Sequence, residues 1–225
     1  MGQLELFDIE ECRDKLQALK NQPETVEVNL RDQGYSRILG IDEAGRGPLA
    51  GPVVACACLL PNPLSVVGLT DSKLLNEKQI EELYFSLIKT PGVEYAVAVV
   101  EAKVIDRINI LQASLQAMRE AAQKIEAGIA IVDGTIDPAL TIPTLCLAKA
   151  DQFCPSVSAA SIIAKYSRDQ LMKSYDKRWP EYGFAENKGY GTAYHREQLK
   201  CYGPSPIHRR CFAPLKEEED QPTLL

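Results

Sequence analysis

Residues 38–60 read ILGIDEAGRGPLAGPVVACACLL, and the fold follows from how this stretch is parsed. An apolar run ends in two adjacent carboxylates, Asp42 and Glu43. A loop carrying Gly45, Arg46 and Gly47 follows, and a second apolar run begins at Val53. Short apolar runs bounded by Gly and Pro read as buried strands, so the acids lie where a strand leaves the core. Side chains alternate along a strand, which puts Asp42 and Glu43 on opposite faces. One site takes both only where the strand ends or twists, and glycines at 45 and 47 permit that.

Outward from this hairpin the pattern alternates. Asn76 is placed to cap a helix over 77–89, with Gln79 returning the bond, and Ile80, Leu83, Leu87 and Ile88 share one face. Residues 93–100 read as a strand. Leu111, Leu115, Met118, Ala122 and Ile125 step by four and three, which predicts a long helix ended by Gly128. Residues 129–132 form a buried strand stopping at Asp133-Gly134. Another spans 142–148, followed by Lys149-Ala150-Asp151. Residues 156–175 read as a helix whose alanines and serines permit close packing, and Ser205 before Pro206 reads as a helix start. The order β-β-α-β-α-β-β-α predicts an α/β domain on a mixed sheet. Residues 1–35, helical in pattern around Leu4 to Leu19, are expected to be an N-terminal appendage. The domain proper is placed at 36–214, and 215–225 is expected to be a disordered acidic tail.

The chain has 225 residues, 45% apolar and 25% charged, an ordinary globular composition. Its longest apolar run, 53–60, is far short of a membrane span, and the charged N-terminal residues leave no signal-peptide core. Seven cysteines without a Cys-x-x-Cys pair fit neither a disulfide framework nor a zinc module, so a reducing, cytoplasmic setting is expected. The net charge of −6 weighs against a nucleic-acid partner. Placement matters more than the sum, however. Between 188 and 210, Lys188, Arg196, Lys200, Arg209 and Arg210 stand against Glu197 alone, a candidate basic face.

Three predicted strands end in acids: Asp42 with Glu43, Asp133, and Asp151. In α/β sheets functional groups gather at strand ends. Four converging carboxylates would repel one another unless cations held them ionised. Hard divalent ions such as Mg²⁺ or Mn²⁺ take oxygen ligands, and two of them roughly 4 Å apart activate water and stabilise the leaving oxygen of a phosphodiester. Each acid also has a plainer reading. Asp133-Gly134 alone is a turn dipeptide, Asp151 a cap, and the Gly45-Arg46-Gly47 loop a hairpin connection. Arginine in a glycine loop equally offers a fork for phosphate. Composition and spacing stop at metal-dependent phosphoryl chemistry as one reading among these.

The residues from Gly40 to Val53 closely resemble the opening signature of bacterial ribonuclease HII. The resemblance continues in order through Asp71-Ser72-Lys73, Val132-Asp133-Gly134 and Lys149-Ala150-Asp151. It extends over residues 158–165, 188–192 and 202–210, covering about 36–214 in all. It implies an RNase H-like fold: a mixed central sheet flanked by helices, with a helical C-terminal part. It implies hydrolysis of the RNA strand of RNA–DNA hybrids, and nicking of duplex DNA 5′ to a single embedded ribonucleotide, with 3′-hydroxyl and 5′-phosphate products. By the same resemblance Asp42, Glu43, Asp133 and Asp151 are the catalytic metal ligands, for two Mg²⁺ or Mn²⁺ ions. Gly45, Arg46, Gly47 and Tyr190 read the ribose 2′-hydroxyl, and Lys73 grips phosphate. The implied partners are hybrid and ribonucleotide-containing duplex; no membrane is involved and nothing demands more than a monomer. Leu74 stands where relatives often carry a second lysine, and Ser205 where threonine is common.

Two other classes remain at this stage. A binding module without catalysis would use the 188–210 segment and the glycine loop, but gains nothing from acids facing phosphate. A cysteine hydrolase has only His195 and His208 as bases and no cysteine in an activating context.

Overall fold

The computed structural model describes residues 26–62, 72 and 75–215. A five-stranded mixed sheet runs in the order β3-β2-β1-β4-β5. β1 (Ile38–Ala44) and β2 (Val53–Leu59) form the expected antiparallel hairpin, extended on the same side by β3 (Glu94–Val100). On the other side β4 (Ile129–Asp133) pairs parallel to β1, and β5 (Thr144–Leu147) pairs parallel to β4. The near-continuous burial of β1, β2 and β4 explains why they read as unbroken apolar runs.

Helices cover both faces. On one, Leu39, Ile41, Ala55, Ala57, Ala130 and Val132 pack under α3 (Ala102–Ala122). On the other, alternate residues of the same strands, among them Ile38, Ile129, Ile131, Cys56 and Cys58, face α4 (Pro155–Asp176). The small residues of α4 allow a very close approach: a Cβ on Gly40 would stand 2.1 Å from the Ser156 carbonyl carbon. The helix over Glu77–Lys89 (α2) starts with the expected capping box, Asn76 accepting from the Gln79 amide and Gln79 from the Asn76 amide. Cys56 and Cys58 are buried and unbridged, as small apolar groups.

Three expectations meet a different outcome. Within the stretch read as an appendage, α1 (Val26–Asp32) packs Val26 and Leu30 against Ile38, Ile129 and Val157, so residues from 26 onward belong to the packed body. The pattern signal around Leu4 to Leu19 lies outside the described residues, as do 216–225. No helix starts at Ser205. Its amide and hydroxyl bond His208 Nδ1 instead, at 2.9 and 2.8 Å, and His208 bridges to Ala50. The last long helix, α6 (Ala193–Tyr202), begins earlier, with Thr192 as its cap. It is preceded by the one-turn α5 (Phe184–Asn187), and both are held to the body by a small core of Ala50, Met172, Tyr182, Phe184, Leu199 and Ile207. Finally, the 188–210 segment is not a solvated basic face throughout, because Arg209 is wholly buried and Lys188 is tied to Glu77. No helix among the described residues is long and apolar enough to cross a membrane.

Candidate active site

Strand register brings two of the acids together. Ile41 lies opposite Val132 on parallel β1 and β4, so Asp42 and Asp133 follow one step later on neighbouring strands. Both share the side-chain parity of Ile38 and Ile129, hence the face covered by α4. Asp151 enters from the 3-10 turn Ala150–Gln152 beyond β5. One carboxylate oxygen each from Asp42, Asp133 and Asp151 lies within 4.8 Å of the others. Glu43 is not in that cluster. Its parity sends it to the other face, and it reaches the same cleft only because β1 ends there. Its carboxylate lies 3.4 Å from Arg46 Nη1.

Local hydrogen bonds aim the acids. The Glu43 amide donates to Asp42 Oδ1 at 2.7 Å, and the Ala150 amide donates to Asp133 Oδ1 at 2.8 Å. Burial, then the charges of Glu43 and Asp133, push the Asp42 carboxyl well above its usual range, with the Ser161 hydroxyl working against them. Ser161 also bonds Ser72 at 2.8 Å, which links Ser72 to the hydroxyl beside Asp42. Lys73 lies outside the described residues. A donor set of three carboxylates, two of them buried, fits a hard divalent cation: the oxygen-only ligands match, and the opposing charge relieves crowding that burial makes severe.

The cleft, of about 290 Å³, is lined by Asp42, Asp133, the 43–47 loop, Tyr190, Ser72, Ser161, Lys165 and Arg168, with Asp151 buried behind it. A Cβ on Gly47 would lie 3.6 Å from Tyr190 Cε1, so the exposed ring and the glycine backbone face each other. Sequence reading assigned no role to Ser161, Lys165 or Arg168. Their signal was present, since steps of four and three place them on one helical face of α4. Lys165 is held at 2.8 Å by Asp169.

Tyr190 is anchored by a buried relay. The Ser205 amide and hydroxyl donate to His208 Nδ1, which leaves the His208 proton on Nε2, facing His195 Nε2 at 2.9 Å. The His195 proton then sits on Nδ1 and donates to the Tyr190 carbonyl at 2.9 Å. Each assignment follows from its neighbour. Both rings are neutral. Burial lowers the pKa of each, and His208, also facing His195, falls to about 4.

Fold and site together define a hydrolase of the ribonuclease H-like α/β class. The solved ribonuclease H2 of Pyrococcus horikoshii superposes with a TM-score of 0.64 at 30% identity, over 80% of this chain and 95% of that one. The sequence profile of the family described as Ribonuclease HII matches residues 39–214. A relative of that name from Desulfitobacterium hafniense is 47% identical over 207 residues, 88% of this chain and 79% of its own length. One from Chlamydia trachomatis is 48% identical over 188 residues, 83% and 86% respectively. The chain belongs to the ribonuclease HII family.

Proposed function

We propose that the chain hydrolyses the RNA strand of RNA–DNA hybrids and nicks duplex DNA on the 5′ side of a single embedded ribonucleotide, leaving 3′-hydroxyl and 5′-phosphate ends. The observation that carries this reading is the convergence of Asp42, Asp133 and Asp151 within 4.8 Å, beside a glycine loop faced by an exposed tyrosine. Asp42, Glu43, Asp133 and Asp151 are the proposed ligands of two Mg²⁺ or Mn²⁺ ions. Bound divalent ions supply an activated water and neutralise the charge that develops on the phosphodiester.

The chain's own groups bind and orient. The Glu43 and Ala150 amides hold Asp42 and Asp133 in place, so little reorganisation is needed on metal entry. Lys165 on the cleft wall and the exposed Arg46 meet the phosphate backbone. The open backbone of Gly45 and Gly47 approaches the ribose, and the Tyr190 ring packs against the sugar or base. Only the 2′-hydroxyl distinguishes a ribonucleotide within DNA, and these groups stand close enough together to test for it. Lys73 as a phosphate grip rests on the sequence resemblance. A monomer acting in the cytoplasm accords with the same resemblance.

A binding module without catalysis is the weaker reading, because crowded carboxylates facing a polyphosphate repel it unless cations intervene. The test is a duplex carrying one ribonucleotide, incubated with Mg²⁺ or Mn²⁺. A cut 5′ to the ribonucleotide, abolished by chelation and reduced by about 10³-fold or more in Asp42→Asn and Asp133→Asn, is expected. Normal cutting by either variant would overturn the assignment of the site.

A further inference from the structure

Two arginines are almost completely withdrawn from solvent, Arg168 at 1% exposure and Arg209 at 0%. Burying a guanidinium is costly, and burying two beside each other is more so. Burial and the charge of Arg168 bring Arg209 down to about 9, which leaves it cationic at neutral pH, and burial lowers Arg168 as well. Their hydrogen bonds end on backbone carbonyls rather than carboxylates. Arg209 donates to the carbonyls of Arg46 (2.8 Å), Gly45 (2.6 Å), Gly51 (2.9 Å) and Pro52 (3.1 Å). Arg168 donates to those of Pro52 (3.0 Å), Ala50 (3.2 Å) and Lys188 (2.9 Å). The loop between β1 and β2 therefore rests on two planar forks, and the second fork also holds the backbone two residues before Tyr190.

Peptide planarity turns this into a consequence for the cleft. In a trans peptide the carbonyl and the following N–H point in opposite directions. Drawing the Gly45 and Arg46 carbonyls down onto Arg209 turns the Arg46 and Gly47 amides away from it. Among the described residues neither amide meets a backbone carbonyl. Gly45 must be glycine for the same arrangement: its φ is +97°, and a Cβ there would lie 2.0 Å from Arg168 Nε.

We propose that Arg209 is a positioning residue for ribonucleotide recognition, with Arg168 as its support. By holding the Gly45 and Arg46 carbonyls it presents the Arg46 and Gly47 amides as a fixed pair of donors to the 2′-hydroxyl. This rests on the reading of the site given above and adds the element that gives the loop its aim. Lysine would keep the charge at 209 but, as a point donor, cannot span four carbonyls in one plane.

The test measures binding without turnover. The full chain is titrated in EDTA with two labelled duplexes, identical except that one carries a single ribonucleotide. The ratio of the two dissociation constants is read for wild type, Arg209→Lys and Arg168→Lys, each checked for a cooperative melt. A folded Arg209→Lys should lose about tenfold of the ribonucleotide preference, the scale of one or two charge-assisted bonds, with affinity for the all-DNA duplex kept within about twofold. An unchanged ratio in a folded Arg209→Lys overturns the proposal. If that variant does not melt cooperatively, an unchanged ratio in a folded Arg168→Lys overturns it instead. Amide exchange on the wild type decides independently of either variant. The Arg46 and Gly47 amides should be protected by the ribonucleotide duplex and not by the all-DNA duplex, and equal protection overturns the proposal. A wild type with no preference at all would instead overturn the reading of the site.

Discussion

Single residues carry the sharpest consequences. Gly40 lies mid-strand, where glycine weakens a sheet, and its reason is the closeness of α4. A Cβ there would sit 2.1–2.4 Å from backbone atoms of Ser156 and Val157, which cannot rotate away as a flexible side chain would. Gly40→Ala should lower stability by about 2 kcal/mol or more, the range for overpacked cores, read as a reduced denaturation midpoint at unchanged slope. Because Asp42 is two residues on along the same face, cleavage by the folded fraction should fall as well. A midpoint equal to wild type would show that the helix yields freely. Arg209 shows the reverse relation between sequence and structure. By residue type it counts toward a basic surface, yet its side chain is spent beneath a loop. Charge tallies assume solvent exposure, and the full set of carbonyl acceptors that makes burial tolerable comes from residues more than 150 positions away.

Elements set the geometry of the cleft through their ends. The cap position of α4, Cys154, makes no side-chain capping bond. Glu27 of α1 takes its place: one carboxylate oxygen accepts from both the amide and the hydroxyl of Ser156 at 2.8 Å. A carboxylate at a helix N-terminus also favours the helix dipole. Glu27→Ala should cost about 1–2 kcal/mol in chemical denaturation, while Glu27→Gln, which keeps one acceptor, should cost less. Equal losses would point to packing alone. The histidine relay under Tyr190 predicts a pH dependence. Both histidines have folded pKa values below the unfolded value of 6.5, so the unfolded chain takes up their protons first. Stability from the relay is complete above about pH 6.5 and is lost as pH falls toward about 4. For His208 alone this amounts to as much as about 3 kcal/mol. Urea melts of wild type and His208→Asn across that window should converge as pH drops. Parallel curves would mean the relay does not hold its neutral form.

At the scale of the whole molecule, three carboxylates drawn from both parallel strand pairs form an electrostatic fault that a cation repairs. A divalent ion binding only the folded chain should raise stability, by about 2.7 kcal/mol at a hundredfold excess over its dissociation constant. Thermal melts with Mg²⁺ or Mn²⁺ against EDTA should show the rise in wild type and little of it in Asp133→Asn. In EDTA that variant should be no less stable than wild type, because a repulsion has been removed. Equal metal-induced shifts in the two proteins would place the ion elsewhere.

What the chain's order of residues decided by itself is local. The hairpin at 38–60 was legible because its strands are buried on both faces and its turn is marked by glycine. The capping box at Asn76 and Gln79 was legible because both partners lie within one turn. The acidic ends of β1 and β4 were legible because each is a short apolar run with a visible stop, whereas Asp151 falls in a turn beyond β5. Only the tertiary structure decided that Ser205 would bond His208 rather than start a helix, that residues 26–32 would join the core, and that Arg209 would be buried beneath the loop. Those outcomes depend on contacts between segments far apart in the chain, on strand pairing, and on which polar groups burial leaves to find partners. None of these is encoded in a window of neighbouring residues.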